Sequence, residues 1–274
     1  QMLFKRELGT GEVIGWGLAD EPFFRKVAAR LPALPRPFFA YLITLGLHHP
    51  FDQFPDRHKV LDVGDAAGTP LGNYLHAMHY FDASLAVLVE ELQRQGLWES
   101  TVLALHGDHE SGVAIDQQVL AILGVPGWEP SILVRQHKVP FLVHLPGGRL
   151  AGDRMVAGGH VDIAPTLLDL LGFDRPASFA GRSLLADGPS WAVLYTGSAV
   201  QGDRLFVARG PRIPAEGACF AFPGGEPRPP GECEPARLKA QRELEMTRRV
   251  VLYDLVPRVL GPGQQRLLAG GGTS

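Results

Sequence analysis

Two short apolar runs bracket a long amphipathic stretch, and this arrangement limits the fold of the 274-residue chain more than any other feature. Residues 38–45 are almost unbroken in apolar side chains, carry Phe, Tyr, Ile and Thr, and follow Pro35 and Pro37, as a buried strand does. Tyr74, Met78, Phe81, Leu85, Leu88 and Leu92 then recur at helical spacing, which predicts a helix with one apolar face that closes near Gly96. Residues 101–105 form the next aliphatic and β-branched run and stop at Gly107, Asp108, His109 and Glu110. Strand, helix, strand and polar loop predict a right-handed βαβ crossover with the loop at the carboxyl edge of a mainly parallel sheet, where ligands bind in such folds. Residues 139–145 read as a further strand, and Asp162 with Pro165 introduces a helix through Leu171 that ends at Gly172.

Beyond about Ser190 the pattern changes. Residues 192–196 and 205–208 read as short strands, a Pro/Gly-rich loop follows as far as Glu234, and a charged helix spans about 236–251. The fold class expected is therefore α/β, a mainly parallel sheet flanked by helices, with a small C-terminal antiparallel extension. Residues 1–190 form the main body, and residues 191–274 add edge strands, the Cys219 and Cys233 loop and a helix to the same domain. The glycine tail near Gly270 is expected to be disordered.

With 45% hydrophobic and 20% charged residues the chain can bury a full core. A formal net charge of -3 without long runs of like charge excludes a nucleic-acid partner. No apolar run approaches the roughly 18 to 20 residues that a membrane span needs, and the first residues lack the layout of a signal peptide. The chain opens at Gln1 without an initiator Met, which suggests a piece of something longer, with any anchor upstream. Cys219 and Cys233 sit close together in the Pro/Gly-rich stretch, which suits a disulfide in an oxidising compartment, with two free thiols as the alternative.

Three motifs carry chemistry. The loop His106-Gly107-Asp108-His109-Glu110 places a carboxylate beside an imidazole directly after a strand, a mixed donor pair that suits Zn²⁺ or Mn²⁺ better than Ca²⁺ or Mg²⁺. Such pairs also often just cap a helix or line a turn. The run Leu45-Gly46-Leu47-His48-His49-Pro50 brings two histidines to the end of another strand, and neighbouring strands would face them toward Asp108. The alternative is a surface loop whose histidines bond backbone groups. Third, His160-Val161-Asp162-Ile163-Ala164-Pro165 is physically a capped helix start, and His160 there reads as structural, with an approach to the metal loop as the alternative.

Taken in order, these motifs resemble the sulfatase and alkaline phosphatase superfamily. Gly15-Trp16-Gly17-Leu18-Ala19-Asp20, Pro37-Phe38-Phe39-Ala40-Tyr41, His48-His49-Pro50-Phe51 and Tyr80-Phe81-Asp82 narrow the resemblance to the branch of lipoteichoic acid synthases and phosphoglycerol transferases. It runs from about Gly15 to Gly172, the C-terminal part of that catalytic domain.

The resemblance implies an enzyme that moves a phosphoglycerol or related phospho-alcohol group from a phospholipid to an envelope glycan or glycolipid, through a covalent phospho-enzyme. It implies a membrane-anchored, extracytoplasmic domain and a divalent metal, Mn²⁺ first, with Mg²⁺, Zn²⁺ or Ca²⁺ as alternatives. Asp108 and His109 match the metal-binding pair, His48 matches the catalytic histidine on the substrate phosphate, and His49 falls beside it at the substrate. Glu110 departs from the glycine frequent in the superfamily, and the nucleophile and remaining ligand have no match in this chain, which is then expected to hold half a site. The alternatives are a sulfatase or phosphodiesterase that transfers the group to water, and a catalytically silent domain that binds a glycan or a protein.

Overall fold

Thr69 and Pro70 set the longest helix in motion: the Thr69 hydroxyl accepts from the Gly72 N–H at 3.1 Å, and Pro70 occupies the first turn, where no N–H is needed. In the computed structural model, which describes residues 5–176, 178–210 and 216–259, the chain packs as two compact units. One comprises residues 1–127 and 139–151, the other residues 128–138 and 152–274. The glycine tail lies outside the described residues.

The first unit begins with a single turn, α1 (Lys5–Leu8), and a hairpin, β1 (Val13–Ile14) and β2 (Gly17–Leu18), that leads directly into α2 (Asp20–Ala28). The long helix is α3 (Pro70–Arg94). It ends in a Schellman motif, with Gly96 at φ +65°, its N–H donating to the Gln93 carbonyl at 2.9 Å and the Leu97 N–H to the Leu92 carbonyl at 2.9 Å. The apolar stripe expected of it is present except at Met78, which is exposed: Phe81, Leu88 and Leu92 are buried with Phe24, Val27 and Ala28 of α2 and with Leu8, Leu18, Leu31 and Leu97. The Phe24 and Phe81 rings sit 6.2 Å apart in a tilted pair. Each such buried side chain contributes roughly 1.5–3 kcal/mol.

Strand β3 (Leu103–His106), helix α4 (Gln117–Ile122) and strand β4 (Phe141–His144) complete this unit. The α/β character holds, but the pairing departs from the parallel crossover expected. β3 and β4 run antiparallel, with Leu103 opposite His144 and His106 opposite Phe141. Residues 38–45 pair with no strand among the described residues, yet Phe38 and Leu42 pack inward while Phe39, Tyr41 and Ile43 face outward. This run keeps the period-two alternation of a strand without a ladder. It does lie beside β3, with the Tyr41 ring stacked over His106 at 6.3 Å.

The second unit holds α5 (Pro130–His137), α6 (Ile163–Leu170), a five-stranded antiparallel meander and two further helices. The meander runs β5 (Trp191–Val193), β6 (Ala199–Gln201), β7 (Arg204–Ala208), β8 (Gly217–Ala221) and β9 (Pro227–Arg228), each strand beside the next. The helices are α7 (Glu234–Leu252) and α8 (Val256–Val259). Ala236 and Ala240 of α7 are fully buried against Ala199, Phe206 and Cys219, because small side chains let the helix lie close on the sheet. A disulfide joins Cys219 on β8 to Cys233 at the start of α7. β8 lies within the stretch that the sequence presents as a loop, because glycine and proline density masks a short strand.

Candidate active site

The site is assembled within the first unit from three pieces of chain: the β1–β2 turn, the loop after residue 45 and the loop after β3. The two-residue turn Gly15-Trp16 needs a positive φ at its first position, and Gly15 supplies it at +59°. The turn lies directly on the histidine loop. A Cβ at Gly15 would stand 2.8 Å from the Leu45 carbonyl oxygen, and one at Gly17 would stand 2.9 Å from the Leu45 Cβ. No side chain fits at either place.

Against that floor, the imidazole of His48 stacks on the indole of Trp16, with ring centroids 3.6 Å apart and planes 26° from parallel. His49 follows at 4.6 Å from His48, and the ring of His109 meets His48 edge-on at 6.0 Å. The loop after β3 also reaches His49, since a Cβ at Gly112 would lie 3.8 Å from its Cδ2. The structure therefore brings together all four residues picked out by sequence: His48, His49, Asp108 and His109.

Hydrogen bonds set the roles of the ring nitrogens. His48 Nδ1 lies 2.5 Å from the His49 carbonyl oxygen, and His109 Nδ1 lies 2.6 Å from the Glu110 carbonyl oxygen. A carbonyl only accepts, so Nδ1 carries the proton in each contact and Nε2 is the nitrogen left to face a ligand. That is the usual arrangement for a metal-ligating histidine, whose far N–H is held by a carbonyl or carboxylate. His109 Nε2 lies 3.9 Å from Asp108 Oδ1, and both side chains are open to solvent, His109 at 55% and Asp108 at 81%. Two ligands on one ion sit about 3 Å apart, a separation these exposed side chains reach by a small rotation. In type the donors suit a divalent ion. In number they do not complete a shell, since among the described residues no group of three or more His, Cys, Asp and Glu could hold a metal.

Beneath the loop lies a group that sequence reading did not single out for a role. Asp20, the first residue of α2, is 1% exposed, and its carboxylate packs directly on Gly46. Neither oxygen has a hydrogen-bond partner of normal geometry among the described residues. Burial, the larger cause, pushes its carboxyl up to about 6, and the Gly46 backbone N–H pulls the other way. A side chain at Gly46 would overlap this carboxylate, so the loop can follow its path only with glycine there.

His160 and Asp162 belong to the second unit. Asp162, nearly buried, accepts from the Gly159 N–H at 2.9 Å and from the Arg182 N–H at 2.8 Å. Thr166 takes the next step: its hydroxyl donates to the Asp162 carbonyl at 2.6 Å and accepts from the Leu184 N–H at 2.9 Å. Asp162 therefore anchors the segment around residue 182 to the start of α6.

Comparison with known proteins adds to this geometry. The family model described as Sulfatase matches residues 5–173. The lipoteichoic acid synthase-like protein YvgJ of Bacillus subtilis is 29% identical over 252 residues, which is 90% of this chain and 39% of that protein. Lipoteichoic acid synthase 1 of the same organism is 31% identical over 170 residues, 61% of this chain and 26% of its own length. This chain thus spans well under half the length of these curated relatives. Among solved structures, the lipoteichoic acid synthase LtaP of Listeria monocytogenes superposes with a TM-score of 0.72 at 25% identity, covering 88% of this chain and 60% of that one. A protein of the alkaline phosphatase superfamily from Vibrio parahaemolyticus shares the fold, with a TM-score of 0.67 at 20% identity, covering 91% of this chain and 59% of that one.

Proposed function

Because the chain belongs to the sulfatase family, we propose that it supplies the phosphate-binding side of an enzyme that transfers phosphoglycerol, or a related phospho-alcohol, from a phospholipid to an envelope glycan or glycolipid. The observation that carries this reading is the convergence of His48 on the Asp108 and His109 pair, with Nε2 of both histidines left open by carbonyl contacts at Nδ1. The relatives named lipoteichoic acid synthases point to this group rather than to sulfate.

On this reading Asp108 and His109 hold a divalent ion, Mn²⁺ first among Mn²⁺, Mg²⁺, Zn²⁺ and Ca²⁺. When bound, such an ion neutralises phosphoryl oxygens and lowers the pKa of a bound hydroxyl. The remaining ligand and the covalent nucleophile come from outside this chain. His48 presents Nε2 to a phosphate oxygen or to the leaving oxygen, while its Nδ1 stays on the His49 carbonyl. His49 lines the approach to the phosphate. Glu110 turns its carbonyl to His109 and so orients the ligand through its backbone.

The proposed setting is the outer face of a membrane, with the anchor elsewhere in the gene product. The Cys219 and Cys233 disulfide supports an oxidising compartment. Among the described residues no helix is long and apolar enough to cross a membrane.

The test is metal content together with glycerol phosphate release from a phosphatidylglycerol analogue, for the complete gene product and its Asp108→Ala and His48→Ala variants. Asp108→Ala is expected to lose metal, and both variants to lose at least about 100-fold in release. A complete protein with neither metal nor turnover would sink the proposal. Turnover of sulfate esters in its place would make the protein a sulfatase.

A further inference from the structure

We infer that Trp16 is a positioning residue for His48: its indole clamps the catalytic imidazole by face-to-face stacking, on a turn whose two glycines fit only this loop. This inference deepens the function proposed above and rests on that reading for its catalytic consequence, though not for the contact itself.

Trp16 is 63% exposed, which is costly for so large an apolar side chain unless its face is used. The indole stacks on the ring of His48 at 3.6 Å and 26°, with the ring of His49 further off at 6.3 Å. The turn that presents it cannot drift. Gly15 abuts the Leu45 carbonyl and Gly17 the Leu45 side chain, so turn and loop are held in register on both sides of Trp16. Just beyond the turn, the Asp20 carboxylate fills the space behind Gly46, and Leu47 packs with Ile14 and Ala19. The backbone on either side of His48 is thus fixed.

The ring itself is held at one end and across its face. The His49 carbonyl holds Nδ1, and the indole face sets the plane of the imidazole. Contacts at Nδ1, to the His49 carbonyl and to His49 Nδ1 at 3.3 Å, fix one end of the ring, and the face-to-face stack adds a restraint on its plane. With the plane fixed, Nε2 points along one direction, as a donor to a phosphate oxygen must. Trp16 acts through His48 and takes no part in bond making.

The experiment has two arms. In the first, the His48 ring-proton signals of this protein are identified by their loss in His48→Gln and compared in wild type, Trp16→Phe and Trp16→Ala. The expected result is an upfield ring-current displacement in the wild type, smaller in Trp16→Phe and absent in Trp16→Ala, with the remaining spectrum unchanged. Identical His48 signals in all three proteins would overturn the inference.

In the second arm, glycerol phosphate release is measured in the complete gene product. Trp16→Ala is expected to lower kcat about tenfold with KM within about twofold, and Trp16→Phe to recover most of the loss. A rise in KM alone, or an equal loss in Trp16→Phe and Trp16→Ala, would show that the stack does not position His48. If the wild-type protein itself gives no turnover, the proposed function fails and the spectroscopic arm alone decides the clamp.

Discussion

Asp20 shows how one residue can set a condition on the whole loop above it. Its carboxyl is raised to about 6 in the folded chain against an ordinary value of 3.8, with burial as the main cause. Between those values the folded protein binds a proton that the unfolded chain has released, so stability falls as pH rises through this window. A shift of this size corresponds to a cost of about 3 kcal/mol above pH 6. Asp20→Asn keeps the shape without the charge, and is expected to unfold at a higher temperature than wild type at pH 7.5. The difference should shrink toward pH 4 in thermal melts across that range. A variant less stable than wild type at pH 7.5 would mean that the carboxylate is ionised and held by a partner. The apolar surroundings of Asp20 cannot be read from its neighbours in sequence, since Gly46 approaches it from another part of the chain.

At the scale of elements, the ends of α3 and α6 were legible in sequence because they rest on local hydrogen bonds and a glycine just past the last turn, while the short helices α2, α4 and α5 were not read from it. Gly172, at φ +75°, closes α6 as Gly96 closes α3, with the Phe173 N–H donating to the Leu168 carbonyl at 2.8 Å. What Asp162 does at the other end was only half legible. It reads as a helix start, but its side chain reaches back to Gly159 and across to Arg182. Two charge-assisted bonds from part-buried backbone donors to a buried carboxylate give it more weight than an exposed cap. Asp162→Ala is expected to destabilise the second unit by about 2–4 kcal/mol, measured by denaturant unfolding, and Asp162→Asn by less. A loss under about 0.5 kcal/mol would show that water replaces these contacts.

Across the whole molecule, two separate cores divide the work: α2 and α3 with the turn and loops of the site in one unit, and the meander with α7 in the other. The disulfide ties only the second. Its cysteines lie 14 residues apart, a loop whose closure is worth about 3 kcal/mol in the unfolded chain. Replacing both with Ser is expected to speed amide exchange in β7, β8 and α7 while leaving the core amides of α2 and α3 unchanged. Equal acceleration in both units would show that they open together. The exposed row Phe39, Tyr41 and Ile43 belongs to this scale too, as a strand-like run without a ladder among the described residues.

The sequence by itself determined α3, α6 and α7, since their apolar or charged patterns are properties of neighbouring residues, whereas α2, α4 and α5, with nine residues or fewer, are too short to show such a pattern. It also placed His48, His49, Asp108 and His109 at the ends of apolar runs, while the roles expected of them came from the family resemblance. Only the tertiary structure decided that β3 pairs antiparallel with β4, because an apolar run carries no information on the direction of its partner. It alone set Trp16 on His48 and sank Asp20 beneath Gly46, contacts between segments far apart in the chain that depend on how a hairpin and a loop pack together.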